Sequence, residues 1–183
     1  MKSFIGEYIF DDVSVCDDII DYYNKSNKKF QGLVADGTEK VVVDINKKNS
    51  TECLIEDEIL TLKYNSLLQN CLEQYMEEYE YAAAYSRIVL AHNHFKIKYY
   101  QPKQGYFDWH CERIGPTTAR RHLSFLTYLN DVPDGGTEFY YQQSTIKAVK
   151  GKTVIWPVDW TFTHRGQISQ EHEKYIISGY YRF

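Results

Sequence analysis

Phe95-Lys96-Ile97-Lys98-Tyr99 alternates apolar and charged side chains, the period-two mark of a β-strand with one face buried. From this stretch onward the chain changes character. Residues 122–129, 137–141, 145–149, 153–156 and 175–183 read as further strands, with turn signals at 102–105, 130–136 and Lys150-Gly151 between them. Two predicted helices lie ahead of it. Ser14 suits the N-cap of the first, with Asp17 and Asp18 in its opening turn and Ile19, Ile20 and Tyr23 along its body. The second spans 56–84, where Ile59, Leu60, Leu62, Leu67, Leu68, Cys71, Leu72, Tyr75 and Met76 recur near a 3.6-residue period. Residues 40–46 between the helices read as a strand or extended loop. Many short strands preceded by helices predict an α+β, mainly β fold: a barrel or jelly roll carrying a helical layer, whose mouth is the place for a binding site.

Composition narrows the function classes. The 183 residues contain no repeat, low-complexity tract or Pro/Gly-rich linker, so one domain is expected over 1–183, with 1–86 as a helical support holding an early strand and 87–183 as the β core. Aromatic residues reach 16%, with 17 Tyr against 9 Phe, which suits half-buried sheet surfaces where the ring packs and the hydroxyl finds a partner. A formal net charge of -4 argues against a nucleic-acid partner, since phosphate binding needs clustered Lys and Arg. No apolar run approaches the length of a membrane span. Cys16, Cys53, Cys71 and Cys111 are far apart and form no CxxC pair. Free thiols in a reducing compartment, hence a cytoplasmic location, are the expectation.

Chemistry is signalled by three elements in order. In His110-Cys111-Glu112 the first and third residues would face one side of a strand and converge, with Cys111 turned away. His164 follows in Thr163-His164-Arg165-Gly166. Two histidines and one carboxylate on one face of a metal leave the opposite positions open, the facial arrangement of non-haem Fe(II) oxygenases. Lys174 comes ten residues after His164, and on a strand it shares a face with Ser178. An ammonium with a nearby hydroxyl suits a carboxylate held in a narrow pocket.

From about residue 96 to the C-terminus the chain resembles the prolyl 4-hydroxylase-like branch of the 2-oxoglutarate/Fe(II) dioxygenases. The likeness is carried by the stretch from Tyr99 to Tyr106 leading to His110, by Leu126-Thr127-Tyr128-Leu129-Asn130, and by Gly135-Gly136-Thr137-Glu138-Phe139. Lys150-Gly151-Lys152-Thr153-Val154-Ile155-Trp156-Pro157 and His164-Arg165-Gly166 complete it. The resemblance implies a double-stranded β-helix, or jelly roll, with Fe(II) on His110, Glu112 and His164. It implies 2-oxoglutarate held by Tyr100, Tyr128 and Lys174 with Ser178, O2 as oxidant, and ascorbate as accessory reductant. The implied reaction hydroxylates a prolyl residue of a peptide or protein and releases succinate and CO2. Alternatives are a free amino acid or other small molecule as substrate, and a non-catalytic barrel that only binds metal and 2-oxoglutarate. The family usually carries Asp where this chain has Glu112, one methylene longer.

Other residues carry weaker signals. His92-Asn93-His94 would place two histidines on one side of a strand, but no carboxylate follows at matching spacing. His122 and His172 read as structural or exposed, Trp109 and Trp156 as barrel packing, and Arg120 and Arg121 as surface residues, with substrate contact the alternative for either arginine. Arg165 and Trp109, each beside a metal-ligand candidate, are candidates for substrate contact. Residues 113–119, with Gly115 and Pro116, read as a loop over the entrance. Oligomeric state leaves no trace in the sequence.

Overall fold

The computed structural model describes residues 3–36, 40–83, 88–90 and 94–183. The chain opens with β1 (Gly6–Ile9) and α1 (Ser14–Lys25), followed by β2 (Lys29–Gln31), β3 (Val34–Ala35), β4 (Val41–Val42) and β5 (Thr51–Leu54). The long α2 (Glu58–Glu78) precedes β6 (Val89–Leu90) and β7 (Lys96–Tyr100). Then come β8 (Arg121–Tyr128), β9 (Val132–Phe139), β10 (Ser144–Ala148), β11 (Lys152–Pro157), β12 (His164–Gly166) and β13 (Lys174–Arg182).

Eight strands form the major sheet in the order β1-β11-β8-β13-β7-β5-β2, with β6 paired to β13. A minor sheet runs β10-β9-β12, and β3-β4 is a separate hairpin. The result is an α+β fold whose antiparallel β core is flanked by N-terminal helices, in a double-stranded β-helix arrangement. The N-terminal region contributes more than one early strand, because β1, β2 and β5 extend the major sheet at both edges.

The helices cover one face of the major sheet. Val15, Cys16, Ile19 and Tyr23 of α1 and Leu60, Tyr64, Leu68, Cys71, Leu72 and Tyr75 of α2 are buried there with Ile97, Phe125, Ile155 and Ile177 of the strands. Each such side chain contributes about 1.5–3 kcal/mol on leaving water. Tyr64 buries its ring here and donates to Thr127 Oγ1 at 2.8 Å, which satisfies the hydroxyl in an apolar layer. The other face of the sheet packs Tyr100, Tyr128, Trp156 and Ile176 toward Val132, Phe139 and Ile146 of the minor sheet. Strand alternation therefore separates two layers: odd-numbered residues of β7 and β13 mostly meet the helices, and even-numbered ones face the interior between the sheets.

Several local expectations change. Ser14 is the first helical residue, and its N–H donates to Asp12 Oδ1 at 2.9 Å, with no side-chain cap at Val13. The second helix is capped by Asp57, whose Oδ1 accepts from Leu60 N at 2.9 Å, and it ends at Glu78. Within 40–46 only Val41–Val42 is strand. The expected turn at 130–136 belongs largely to β9, whose pairing with β10 shifts register between Thr137 and Val132, across Gly135-Gly136. A Cβ on Gly136 would collide with the Ile146 carbonyl of β10, so the glycine serves close strand approach there. All four cysteines are free thiols. Among the described residues no helix is long and apolar enough to cross a membrane.

Candidate metal centre and cavity

The site begins with a backbone pairing. His110 N–H donates to the His164 carbonyl at 3.0 Å, and His164 N–H to the His110 carbonyl at 2.8 Å. Directly opposed residues of an antiparallel pair project to one face, which brings the two imidazoles together with ring centroids 4.4 Å apart. Each ring's Nδ1 lies 2.9 Å from the carbonyl two residues before it, Asp108 for His110 and Phe162 for His164. A neutral ring donating from Nδ1 keeps its Nε2 lone pair available to a metal. Burial, with His164 alongside, pushes the His110 pKa down to about 4, which keeps that ring neutral. Tyr106 stacks on His110 with centroids 3.8 Å apart, and Trp156 meets His164 edge-on at 5.0 Å.

Glu112 arrives by a different route from the one its spacing suggests. His110 makes only a single β-bridge, and the chain then bends so that the N–H groups of Glu112 and Arg113 both reach the Val158 carbonyl at 3.1 Å. The carboxylate still converges: Oε1 is 3.8 Å from His110 Nε2 and 3.5 Å from His164 Nε2. Oε2 accepts from Tyr180 Oη at 2.9 Å. Arg121 lies along the cavity, donating to the Glu112 carbonyl at 2.9 Å and resting 4.0 Å over the Tyr180 ring. Burial alone would raise the Glu112 carboxyl, but the bonds and charge from His164, His110 and Tyr180 outweigh it and hold it well below the usual carboxylate range.

One donor atom from each of His110, Glu112 and His164 lies within 4.8 Å of the other two. Two imidazole nitrogens freed by their Nδ1 bonds, with an ionised carboxylate oxygen facing both, are a donor set that suits Fe(II) with open positions. The residues present fit the metal.

The triad opens on a cavity of about 450 Å³ between the two sheets, within the range of small-ligand sites. Tyr100, Tyr128, Lys174 and Ser178 all line it. Lys174, only 5% exposed, donates to the carbonyls of Gly135 at 2.9 Å and Gln167 at 2.8 Å, and its Nζ is 5.4 Å from the Tyr100 ring centre. Burial pushes its pKa down to about 8. Tyr128 shares a 2.6 Å bond with Thr137 Oγ1. Ser178 is on the same face as Lys174, but it accepts from a different lysine, Lys98, at 2.5 Å.

Four side chains in or at the edge of the cavity differ from the sequence reading. Trp109 is not packed in the barrel: it is 38% exposed and sits 4.4 Å beneath the Arg165 guanidinium, edge-on to Tyr140. Arg165 also donates to Glu138 at 2.7 Å. Arg121 faces the cavity rather than the surface. Tyr180 and Lys98 were not singled out, although the alternation that joins Lys174 to Ser178 continues to Tyr180, and the one that buries Ile97 turns Lys98 to the other face. His122 is structural as expected, with Nε2 2.6 Å from the Ala82 carbonyl and its ring against Phe183. His92 and Asn93 lie outside the described residues; His94 lines the cavity but joins no metal-ligating group among those described.

Comparison with known proteins agrees with this geometry. The sequence model of the 2OG-Fe(II) oxygenase superfamily matches residues 95–182. No curated protein sequence matches the chain significantly. Among solved structures, the chain is similar to a viral collagen prolyl hydroxylase from Paramecium Bursaria Chlorella virus-1 in complex with 2OG, at 15% identity and TM-score 0.71, covering 98% of this chain and 96% of that one. A Pseudomonas putida prolyl-4-hydroxylase aligns at 13% identity and TM-score 0.67, covering 98% and 92%. A Trichoplax adhaerens prolyl hydroxylase, in complex with a hypoxia inducible factor peptide fragment, aligns at 15% and 0.73, covering 99% and 84%. At these identities the structures speak for the fold. The superfamily's sequence model over residues 95–182, the double-stranded β-helix and the His/Glu/His cluster agree with one another, and over that half this chain is similar to the 2OG-Fe(II) oxygenase superfamily.

Proposed function

We propose that the protein is a 2-oxoglutarate- and Fe(II)-dependent dioxygenase that hydroxylates a prolyl residue of a peptide or protein, releasing succinate and CO2. The observation that carries this reading is the pairing, inside one cavity, of the His110/Glu112/His164 cluster with the buried Lys174 ammonium. Among the described residues Lys174 has two carbonyl partners and no carboxylate within 4.0 Å, so it is an anion-binding group awaiting an anion. The prolyl assignment is drawn from the three prolyl hydroxylases that share the fold, one of them with a peptide bound.

His110, Glu112 and His164 would hold Fe(II), which when bound supplies the O2-activating redox chemistry that carbon hydroxylation needs. The Asp108 and Phe162 carbonyls fix the tautomers of the two imidazoles, and Tyr180 fixes the rotation of the Glu112 carboxylate about its last bond. Lys174 receives the far carboxylate of 2-oxoglutarate, with the Tyr100 and Tyr128 rings walling that end and excluding water. Trp109 and Arg165, exposed beside the two histidines, are placed to meet a polypeptide as it enters.

Succinate formation with Fe(II), 2-oxoglutarate and ascorbate tests the reading, first without substrate and then with prolyl peptides followed by mass spectrometry for a gain of one oxygen. Wild-type protein is expected to form succinate, while His110→Ala and His164→Ala form none. Equal rates in wild type and variants would refute the iron assignment; succinate without any oxidised prolyl peptide would remove the prolyl assignment alone.

A further inference from the structure

The cavity holds a second ammonium that the proposed chemistry does not use. On the interior face of β7 and β13, Lys174 pairs across the strands with Tyr100 and Lys98 with Ile176, so the two lysines are diagonal neighbours on one surface. Their side chains diverge. Lys174 turns to the Gly135 and Gln167 carbonyls at the minor sheet. Lys98 reaches along β13 to Ser178, toward Tyr180 and the Glu112 carboxylate that Tyr180 holds.

Lys98 lies directly across the strands from Glu52 of β5 and feels that carboxylate and Glu112, but it has neither to itself. Among the described residues, no carboxylate oxygen comes within 4.0 Å of its Nζ. Among the described residues Glu52 is buried with two closer cations: Oε1 forms an ion pair with the buried Lys48, and Lys96 approaches Oε2, which accepts no hydrogen bond, at 3.2 Å. Lys48, Lys96 and Lys98 thus share one carboxylate. Arg121, the remaining cation on this side, is already bonded to the Glu112 carbonyl. Burial, then Lys48, pushes the Lys98 pKa down to about 8, which leaves it an ammonium at neutral pH. A half-buried ammonium that lines the cavity with one hydroxyl partner and a shared carboxylate favours an anion beside it.

We propose that Lys98 and Ser178 form a second anion subsite, which receives a carboxylate of the primary substrate. The proposal rests on the oxygenase reading, in which the metal and Lys174 take the two ends of 2-oxoglutarate. Lys98 points away from the Lys174 end, so its anion belongs to the other reactant. That carboxylate has two sources: the main-chain terminus of a free amino acid or C-terminal residue, or an acidic side chain within a longer peptide. A neutral internal segment would leave the ammonium with only the shared carboxylate.

The test uses the full chain loaded with Zn(II), which binds the triad without redox chemistry, and with 2-oxoglutarate to fill the Lys174 end. Isothermal titration would compare acetate with acetamide, N-acetyl-L-proline with its methylamide, and an end-blocked prolyl-aspartyl peptide with its asparaginyl counterpart. Wild type is expected to bind at least one acid about 10-fold or more tighter than its neutral partner, the scale of a hydrogen bond to a charged group. The pair that discriminates identifies the source of the carboxylate. Lys98→Gln keeps a donor for Ser178 and is expected to abolish the discrimination while 2-oxoglutarate affinity and metal content stay at wild-type levels; Lys98→Arg retains it. No acid bound by loaded wild type, discrimination unchanged in Lys98→Gln, or weakened 2-oxoglutarate binding in that variant would each overturn the subsite. Wild-type protein that takes up no 2-oxoglutarate would instead overturn the oxygenase reading and the subsite with it.

Discussion

At the scale of single residues, the site is a set of polar groups enclosed with fewer partners than they can use. Lys174 is the clearest case. Its two carbonyl bonds leave one N–H for an anion, so Lys174→Ala should raise the 2-oxoglutarate KM by about 10–100-fold, the range of a charge-assisted hydrogen bond, with a smaller change in kcat. Steady-state kinetics with varied 2-oxoglutarate check this. The depressed pKa of about 8 gives a sign as well. In the free protein Lys174 loses its proton as pH passes about 8, whereas the complex with a carboxylate retains it. Binding therefore takes up a proton above that pH, and the 2-oxoglutarate Kd should rise by up to about tenfold per pH unit there, and stay flat below it. Tyr180 shows the same logic at the metal. Removing its hydroxyl leaves Glu112 Oε2 without its 2.9 Å donor, so Tyr180→Phe should weaken Zn(II) or Fe(II) binding by about 10–100-fold, measured by competition with a chelator, while the fold persists.

At the scale of elements, helices and strands do different work. The two helices supply buried area behind the major sheet and contribute no side chain to the triad or to the Lys174 end. Their integrity should therefore affect stability and not chemistry. Asp57 caps α2 through Leu60 N, and Asp57→Ala should lower stability by about 0.5–2 kcal/mol in urea denaturation while succinate formation per folded molecule stays unchanged. The strands position chemistry by alternation. β13 alone presents Lys174, Ile176, Ser178 and Tyr180 to the cavity, reaching from the proposed cosubstrate end to the metal centre. That alternation was readable at Lys174 and Ser178. Glu112 was not readable in the same way: its role was inferred from a strand geometry that is absent, and the bend held by the Val158 carbonyl performs it instead.

At the scale of the whole molecule, the triad joins segments that the chain keeps apart. The bend after His110 and the start of β12 are fixed to each other by two backbone bonds and the Glu112 bridge. A divalent metal binding only the folded state should therefore stabilise it: at a free concentration of about 100 times Kd the gain is about 2.7 kcal/mol, or roughly 5–10 °C in Tm for a chain of this size. Thermal unfolding with and without Zn(II) would show the shift, and His164→Ala should lose it. What the sequence determined by itself is the set of local patterns: the period-two runs that build the β core, the helical period behind it, and the order of two histidines, an acid and a lysine. These depend on neighbours a few residues apart, so they survive in a linear text. The tertiary structure alone decided that β1, β2 and β5 extend the sheet, that Tyr180 holds Glu112, that Arg121 turns inward, and that Lys98 meets Ser178 rather than solvent. Each of those depends on register between strands distant in sequence, where a shift of one residue would send every side chain to the opposite face.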